Sequence, residues 1–554
     1  MAESSPQIQE RSKDFEEDMA TPDVQNVGMK IQRGADRYKS YGGIEDKPTK
    51  AEVLIWYLYG LCSYFVHTVL IPIVFPLIIS QTVPGAPEPD QGWLKSHKGL
   101  KCKQSEMQLY ERLVHGAVEV GSLNFSPLEW TSISWITGLI LAAPILGLVS
   151  VNLDYGDNQQ LIAGAATGKH FFKREFVFSI GALFCLPAGF FKKSWIFPPY
   201  IAAIVAASTI VGATHARHLG LMIRGFTGST IRKSQFADRR SFGSWLSLYS
   251  TAAGCLGAAI MASFTFHMLS QSDQFTALWV VSIFSGLKWG VGMIHIFSTN
   301  RSTSSYNDPL SNANPLIHVI SIFKYPQAAG SLAGVFLSSF TTTCVFAGGL
   351  LYAIGYLCIK TESILYLWLA YFVCPLLSLP LTHPLQQFMR ADAEKMQLLG
   401  FILSTFTSGF GFYYKSSIWS TGSIILFAAI QGSAAGLLHA FGRVLWLDCS
   451  PAGKEGAFSV WFSWARALGA CAGFALATTL PGNIGKTFGV SFCAGIIGMI
   501  IVIFGNISSL RGAKAAGHVI RSENASPLHK LEDGSDYTKG SVAMEDPTQR
   551  KAEV

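Results

Sequence analysis

Two cations lie deep inside long apolar stretches: Lys288 near the middle of residues 275–297, and Arg466 about ten residues into 456–480. A charge well inside a membrane span costs at least about 2.5–3.5 kcal/mol, so each implies an interaction that offsets the loss of water. No Asp or Glu falls in the interior of any apolar stretch, Glu129 and Glu362 lying at edges. Embedded cations without embedded carboxylates favour a ligand carrying a carboxylate or another anion. A guanidinium such as Arg466 holds a carboxylate through two parallel hydrogen bonds, which a lysine cannot do. Packing roles stay open for both: Lys288 snorkelling to a headgroup or sitting neutral in the interior, Arg466 bonding carbonyls at a helix break.

Histidine is the other side chain in these stretches that titrates near neutral pH. His67, one turn from Tyr64, is the candidate proton carrier if movement of the ligand is coupled to protons; the alternative is a neutral ring bonded to a carbonyl. His295 follows Lys288 by seven residues and shares its helical face. His215 and His439 occupy equivalent places near the ends of two stretches and read as structural caps beside a gate.

These residues need rigid elements to hold them, and the composition says which kind. Apolar residues make up 49% of the 554 and charged residues 14%, against about 25% charged in soluble domains, and the mean hydropathy is +0.33. Twelve windows are nearly free of charge and long enough to cross hydrocarbon: 53–80, 130–152, 175–192, 195–215, 241–265, 275–297, 327–358, 363–383, 396–413, 417–442, 456–480 and 487–508. In lipid each must be helical, because an unpaired backbone group costs several kcal/mol there. Prolines at 72, 76, 144, 187, 375 and 380 predict kinks.

Loops on the N-terminal side hold fifteen Lys and Arg and the short loops opposite hold five, which places both termini in the cytoplasm. The opposite face is termed luminal. The net charge of +7 follows from that bias and calls for no nucleic-acid partner. Residues 1–50 and 511–554 read as unstructured cytoplasmic tails. In the luminal loop 81–127, residues 105–117 carry the apolar stripe of a surface helix, and residues 316–323 carry another. The ten cysteines lie almost entirely in apolar windows without C-x-x-C spacing, so they read as small core residues and not as a disulfide or metal framework. No nucleophile elbow, phosphate loop or metal-ligand spacing is present, so no enzyme, cofactor or metal is expected.

The chain also repeats itself. Phe242, Trp245, Ser247, Cys255 and Gly257 return as Phe458, Trp461, Ser463, Cys471 and Gly473, offset by 216. Gly212-x-x-His215-Ala216 returns as Gly436-x-x-His439-Ala440, offset by 224, and Pro144-Ile145-Leu146-x-Leu148 as Pro375-Leu376-Leu377-x-Leu379, offset by 231. Preserved order with a shrinking offset predicts two repeated bundles whose first copy has the longer loops. Residues 51–297 form the first, 298–326 a cytoplasmic linker, and 327–510 the second.

Twelve spans in two six-helix halves resemble the major facilitator superfamily. Within it the chain looks most like the branch of autophagy-related vacuolar amino-acid effluxers. The carrying residues are Trp56-Tyr57-Leu58-Tyr59, Pro144-Ile145-Leu146-Gly147 with Asp154-Tyr155-Gly156 after it, Arg240-Ser241-Phe242-Gly243, and Pro451-x-Gly453-Lys454-Glu455-x-x-Phe458. The loop after Asp154 departs from the compact basic gate motif of that superfamily, about twelve residues separating Gly156 from Lys169.

The resemblance implies an all-α membrane protein whose spans 1, 4, 7 and 10 line a central cavity. Those spans offer Tyr64 and His67, Ser208 and Thr209, Ser338 and Thr342, and Gln431 with Ser433. Asp154, His215, His439 and Arg240 are the expected gating residues, and Arg466, Lys288, Tyr64, His67, Thr342 and Gln431 the expected substrate contacts. The implied function is alternating-access transport of a small organic solute, an amino acid or related carboxylate, across a vacuolar or other endomembrane, with protons as candidate co-substrate. The competing reading is a membrane scaffold or transceptor that keeps the fold and has lost transport.

Overall fold

The computed structural model describes residues 47–120, 122–155, 180–187, 193–228, 230–271, 274–292, 314–325, 327–451, 453–505 and 507–520. Its long helices are α1 (Lys50–Thr82), α3 (Pro127–Tyr155), α5 (Phe197–Thr227), α6 (Phe236–Gln271), α7 (Gln274–Val291), α9 (Ala328–Gly355), α10 (Thr361–Met389), α11 (Ala393–Tyr413), α12 (Thr421–Asp448), α13 (Glu455–Thr479) and α14 (Ile484–Phe504). Between them lie the shorter α2 (Gln104–His115), α4 (Ile180–Cys185), which is what is described of the window 175–192, and α8 (Pro315–Ile320). α15 (Ser509–Ala516) follows the last long helix. Among the described residues nine helices are long and apolar enough to cross a membrane. α11 falls short of that measure because Ser404, Thr405, Thr407 and Ser408 dilute it, although all four are buried. His295 lies outside the described residues.

Local chemistry sets the helix ends. Thr49, Ser420 and Asn483 each offer a side-chain oxygen to a backbone N–H in the first turn, at Glu52, Ser423 and Lys486. α1 widens into a π-helix over Val66–Val74 around Pro72; proline removes one backbone donor, and a π turn is a way of absorbing the disruption inside a helix.

The sequence repeat becomes a structural one. Gly257 in α6 sits against the Leu61 carbonyl of α1, and its counterpart Gly473 in α13 sits against the Phe340 carbonyl of α9; a Cβ at either would overlap that oxygen. Each half therefore presses its fifth long span against its first through a glycine. The repeated serines point the other way: Ser247 Oγ donates to the Ala440 carbonyl at 2.8 Å and Ser463 Oγ to the Thr209 carbonyl at 2.7 Å, each crossing to the other half. α3 and α5 pack on α13, and α6 packs on α10 and α12, so the cavity lies between the halves.

Two expectations are overturned. Cys102, in the luminal loop, is joined to Cys358 just after α9 by a disulfide, with Cα atoms 5.4 Å apart. Composition could not pair them, because they are 256 residues apart and meet only when the halves assemble. Residues 511–520 are not an unstructured tail: α15 packs beneath α12, and β4 (Val519–Ile520) pairs in parallel with β3 (Ile231–Arg232). Their polarity reflects a face turned to water, with Ser509, Gly512, Ala513, Ala515 and Ala516 buried on the other. The luminal loop also carries β1 (Val118–Val120) and β2 (Leu123–Phe125), a short antiparallel pair leading into α3.

Candidate functional site

A cavity of about 120 Å³ lies between the halves, lined by α1, α5, α6, α9, α10, α12 and α13. It gathers Tyr64, His67, His215, Thr342, His439 and Arg466. Ser208, Ser338, Ser339 and Thr343 add hydroxyls, and Tyr59, Tyr371 and Phe462 add aromatic walls. Among the described residues, no Asp, Glu or Lys lines it.

Arg466 reaches the cavity from the middle of α13. Its guanidinium lies 5.4 Å from the centre of the Tyr64 ring, and among the described residues no carboxylate pairs with it. Tyr64 is shared: its ring is also 5.6 Å from His439. His67, at the start of the π-helical stretch, stacks 6.1 Å from Trp135, and its Nδ1 is buried without a hydrogen-bond partner. His215 is tied down, stacking on Trp56 at 4.5 Å with Nε2 3.2 Å from the Trp56 carbonyl. The two repeated histidines thus line the cavity, His215 as part of its frame and His439 among its aromatic rings.

Two expected contacts lie elsewhere. Lys288 Nζ donates to the Gly257 carbonyl at 2.6 Å and lies 4.6 Å from the centre of the Phe65 ring, which places it behind α1 and outside the cavity wall. Gln431 is bonded to Thr407 and Ser404 of α11 within the second half and lines a smaller apolar pocket of about 60 Å³ towards the luminal end. Arg443 lies just past the apolar window 417–442, but α12 runs on to Asp448 and Arg443 lines the cavity. Its guanidinium donates to the Ser247 side chain and carbonyl at 3.0–3.1 Å and lies over Trp56 at 5.3 Å. The repeated Ser247 was the available signal for it.

The end of the cavity on the side of the N-terminus, expected to be cytoplasmic and so termed below, carries ion pairs between the halves. Arg224 of α5 pairs with Glu455 of α13, Arg239 of α6 with Asp448 of α12 at 3.4 Å, and Arg240 of α6 with Asp392 before α11 at 2.5 Å. The first two pairs obey the repeat. Arg224 and Asp448 are offset by 224 and Arg239 and Glu455 by 216, so equivalent positions carry cations in the first half and acids in the second. Asp154 at the end of α3 accepts from the Gly456 and Ala457 N–H groups at 2.5 and 3.0 Å and pairs with His318 of α8 at 2.8 Å. A carboxylate on the first turn of a helix satisfies free donors and favours the dipole.

Among solved structures, the human organic anion transporter MFSD10 (TETRAN) superposes with a TM-score of 0.52, at 10% sequence identity, over 82% of this chain and all of that one. The chain has the major facilitator fold. No family model matches the sequence, and no curated protein is similar to it.

Proposed function

We propose that the protein is a secondary transporter that carries a small organic anion, an amino acid or related carboxylate, by alternating access across a vacuolar or other endomembrane. The observation that carries this reading is Arg466: a guanidinium in a cavity with no acidic residue among its described lining, held by the Tyr64 ring and by no carboxylate among the described residues. A bound carboxylate would take two of its hydrogen bonds, and the surrounding hydroxyls and rings would hold the remainder of a small solute. The similarity to a protein titled an organic anion transporter supports the charge of the substrate, and the short motifs shared with the vacuolar effluxer branch support the amino-acid class and the endomembrane.

His67 is the group we assign to proton movement. His67 lines the same cavity as Arg466, so a proton it carried would lie beside a carboxylate bound there. By linkage the proton would then strengthen anion binding.

The test is uptake of labelled amino acids and organic anions into vesicles carrying the purified protein, with and without a pH gradient. Arg466→Ala should abolish uptake, and Arg466→Lys should lose about tenfold or more because the bidentate geometry is gone. His67→Gln should keep exchange at equal pH and lose gradient-driven accumulation. Folded wild-type protein that moves no member of the panel would turn the reading towards the scaffold.

A further inference from the structure

The chain continues past its last span and returns along the cytoplasmic face, and where it is anchored decides its role. Four contacts attach it to the second half. The Ser508 N–H donates to Gln327 Oε1 and the Ser509 N–H to Glu394 Oε2, both at 3.2 Å. Ser509 Oγ donates to the Asp448 carboxylate, and His518 Nε2 lies 3.0 Å from the Ser450 carbonyl. Gly512 lets α15 settle onto Cys449, since a Cβ there would stand 2.7 Å from its Sγ.

The same segment also reaches the first half. The Ile231 N–H donates to the His518 carbonyl at 2.8 Å, β3 and β4 pair Ile231 with Val519 and Arg232 with Ile520, and Ile231 and Phe236 share an apolar cluster with Ala513 and Val519. Ser509 thereby bonds the very carboxylate that pairs with Arg239 across the halves.

We propose that residues 508–520 are an autoinhibitory strap: they bind both halves on the cytoplasmic face, hold that gate shut, and must release the first half before the cavity opens to the cytoplasm. The inference rests on the alternating-access reading for its consequence in transport, and on the contacts alone for its effect on the gate. Towards the second half the strap's described contacts include four polar anchors and the close fit at Gly512; towards the first they include a two-residue ladder and a small apolar cluster, and an isolated ladder of that size is marginal in water. Cys449 lies buried beneath the strap.

The test uses the full chain in vesicles. In an Ile231→Cys/Val519→Cys double variant, an oxidant cross-links the facing positions; in a second variant, Gly512→Val, the strap cannot seat. Maleimide labelling from the cytoplasmic side of a cysteine placed in the cavity by Ser208→Cys, against the same protein with Ser208 intact, reads the gate without reference to transport, and exchange of a panel substrate reads the cycle. Cross-linking should lower both by about tenfold relative to the same protein in reductant, with the parent protein as control for the native disulfide, and Gly512→Val should raise labelling by about tenfold. Labelling that is the same in cross-linked, reduced and Gly512→Val proteins overturns the strap. Exchange absent from every sample while labelling follows the strap would overturn the transport reading and leave the strap standing.

Discussion

At the cytoplasmic end the halves meet through Arg224 with Glu455, Arg239 with Asp448, Arg240 with Asp392, and Asp154 on the first turn of α13. At the luminal end they meet through Trp135 against Phe474 at 5.8 Å, Ser132 with Thr478 at 3.2 Å, and a loop that belongs to the first half by sequence and to the second by contact. That loop is tied to the second half by the Cys102–Cys358 disulfide, by Lys98 donating to Tyr352 Oη at 2.5 Å, and by the His97 N–H donating to the Gly355 carbonyl at 3.3 Å. Tyr110 of α2 lies so close to Gly355 that a Cβ there would overlap its ring. The two seals differ in what happens when they open. Charged groups separated at the cytoplasmic end are taken up by water, so that seal can break and re-form reversibly. The luminal loop cannot leave the second half while the disulfide is intact, so any opening at this end would have to occur between this cap and the first half.

Breaking the buried pair at the cytoplasmic end should have the largest effect. Glu455→Gln takes the carboxylate charge away from Arg224, which is nearly inaccessible, and removing one member of a buried pair costs about 3–5 kcal/mol. Thermal unfolding and cytoplasmic thiol accessibility should both register it. The exchange Arg224→Glu/Glu455→Arg should recover part of the loss; no recovery would mean that the pair is not what closes this end.

Cys358→Ser comes next. The closed loop is long, and losing a disulfide costs about 2–4 kcal/mol. The variant should become accessible to thiol reagents from the luminal side at positions in the apolar cluster, while the cytoplasmic side stays protected. Equal exposure at both ends would erase the contrast between the seals.

Ser463→Ala should cost about 1 kcal/mol, the net value of one interior hydrogen bond. Its repeat counterpart Ser247→Ala should cost more, because it also removes an acceptor from the buried Arg443. Denaturation midpoints of the two variants compare them directly.

The smallest effect is a pH dependence. Burial, then the neighbouring Arg239 and Arg224, hold the His518 imidazole well below its ordinary value of about 6.5. Those arginines are paired with Asp448 and Glu455, and the ring faces the Ser450 carbonyl. A histidine depressed in the docked state contributes docking stability that is complete above about pH 6.5 and is lost as the pH falls below it. Acidifying the cytoplasmic side should therefore raise labelling of the Ser208→Cys variant by less than about tenfold, and His518→Gln should remove the dependence.

Much of this architecture was legible without coordinates. Long uncharged windows can satisfy their backbone in lipid only as helices, so the spans followed from composition. The repeat announced two halves, because Gly257 with Gly473 and Ser247 with Ser463 must do equivalent jobs at equivalent places. A sharper reading of the same offsets would also have found the sign-swapped pairs, Arg224 against Asp448 and Arg239 against Glu455. Arg443 was missed for a smaller reason: a window edge drawn by hydropathy stops where a helix does not.

What the sequence by itself determined is local and additive: which stretches prefer lipid, that the basic residues gather in the loops of one side, and that Arg466 and Lys288 are too deep in apolar sequence to be ordinary surface cations. Each of those is a sum over neighbouring residues, and hydrophobicity and charge add along a chain. Only the tertiary structure decided that Arg466 opens on the cavity while Lys288 bonds the Gly257 carbonyl behind α1. It also decided that Cys102 finds Cys358 and that residues 508–520 bridge the halves. Those outcomes depend on the rotation and approach of helices hundreds of residues apart, and contacts across such separations are set by packing of whole surfaces, which no window along the chain contains.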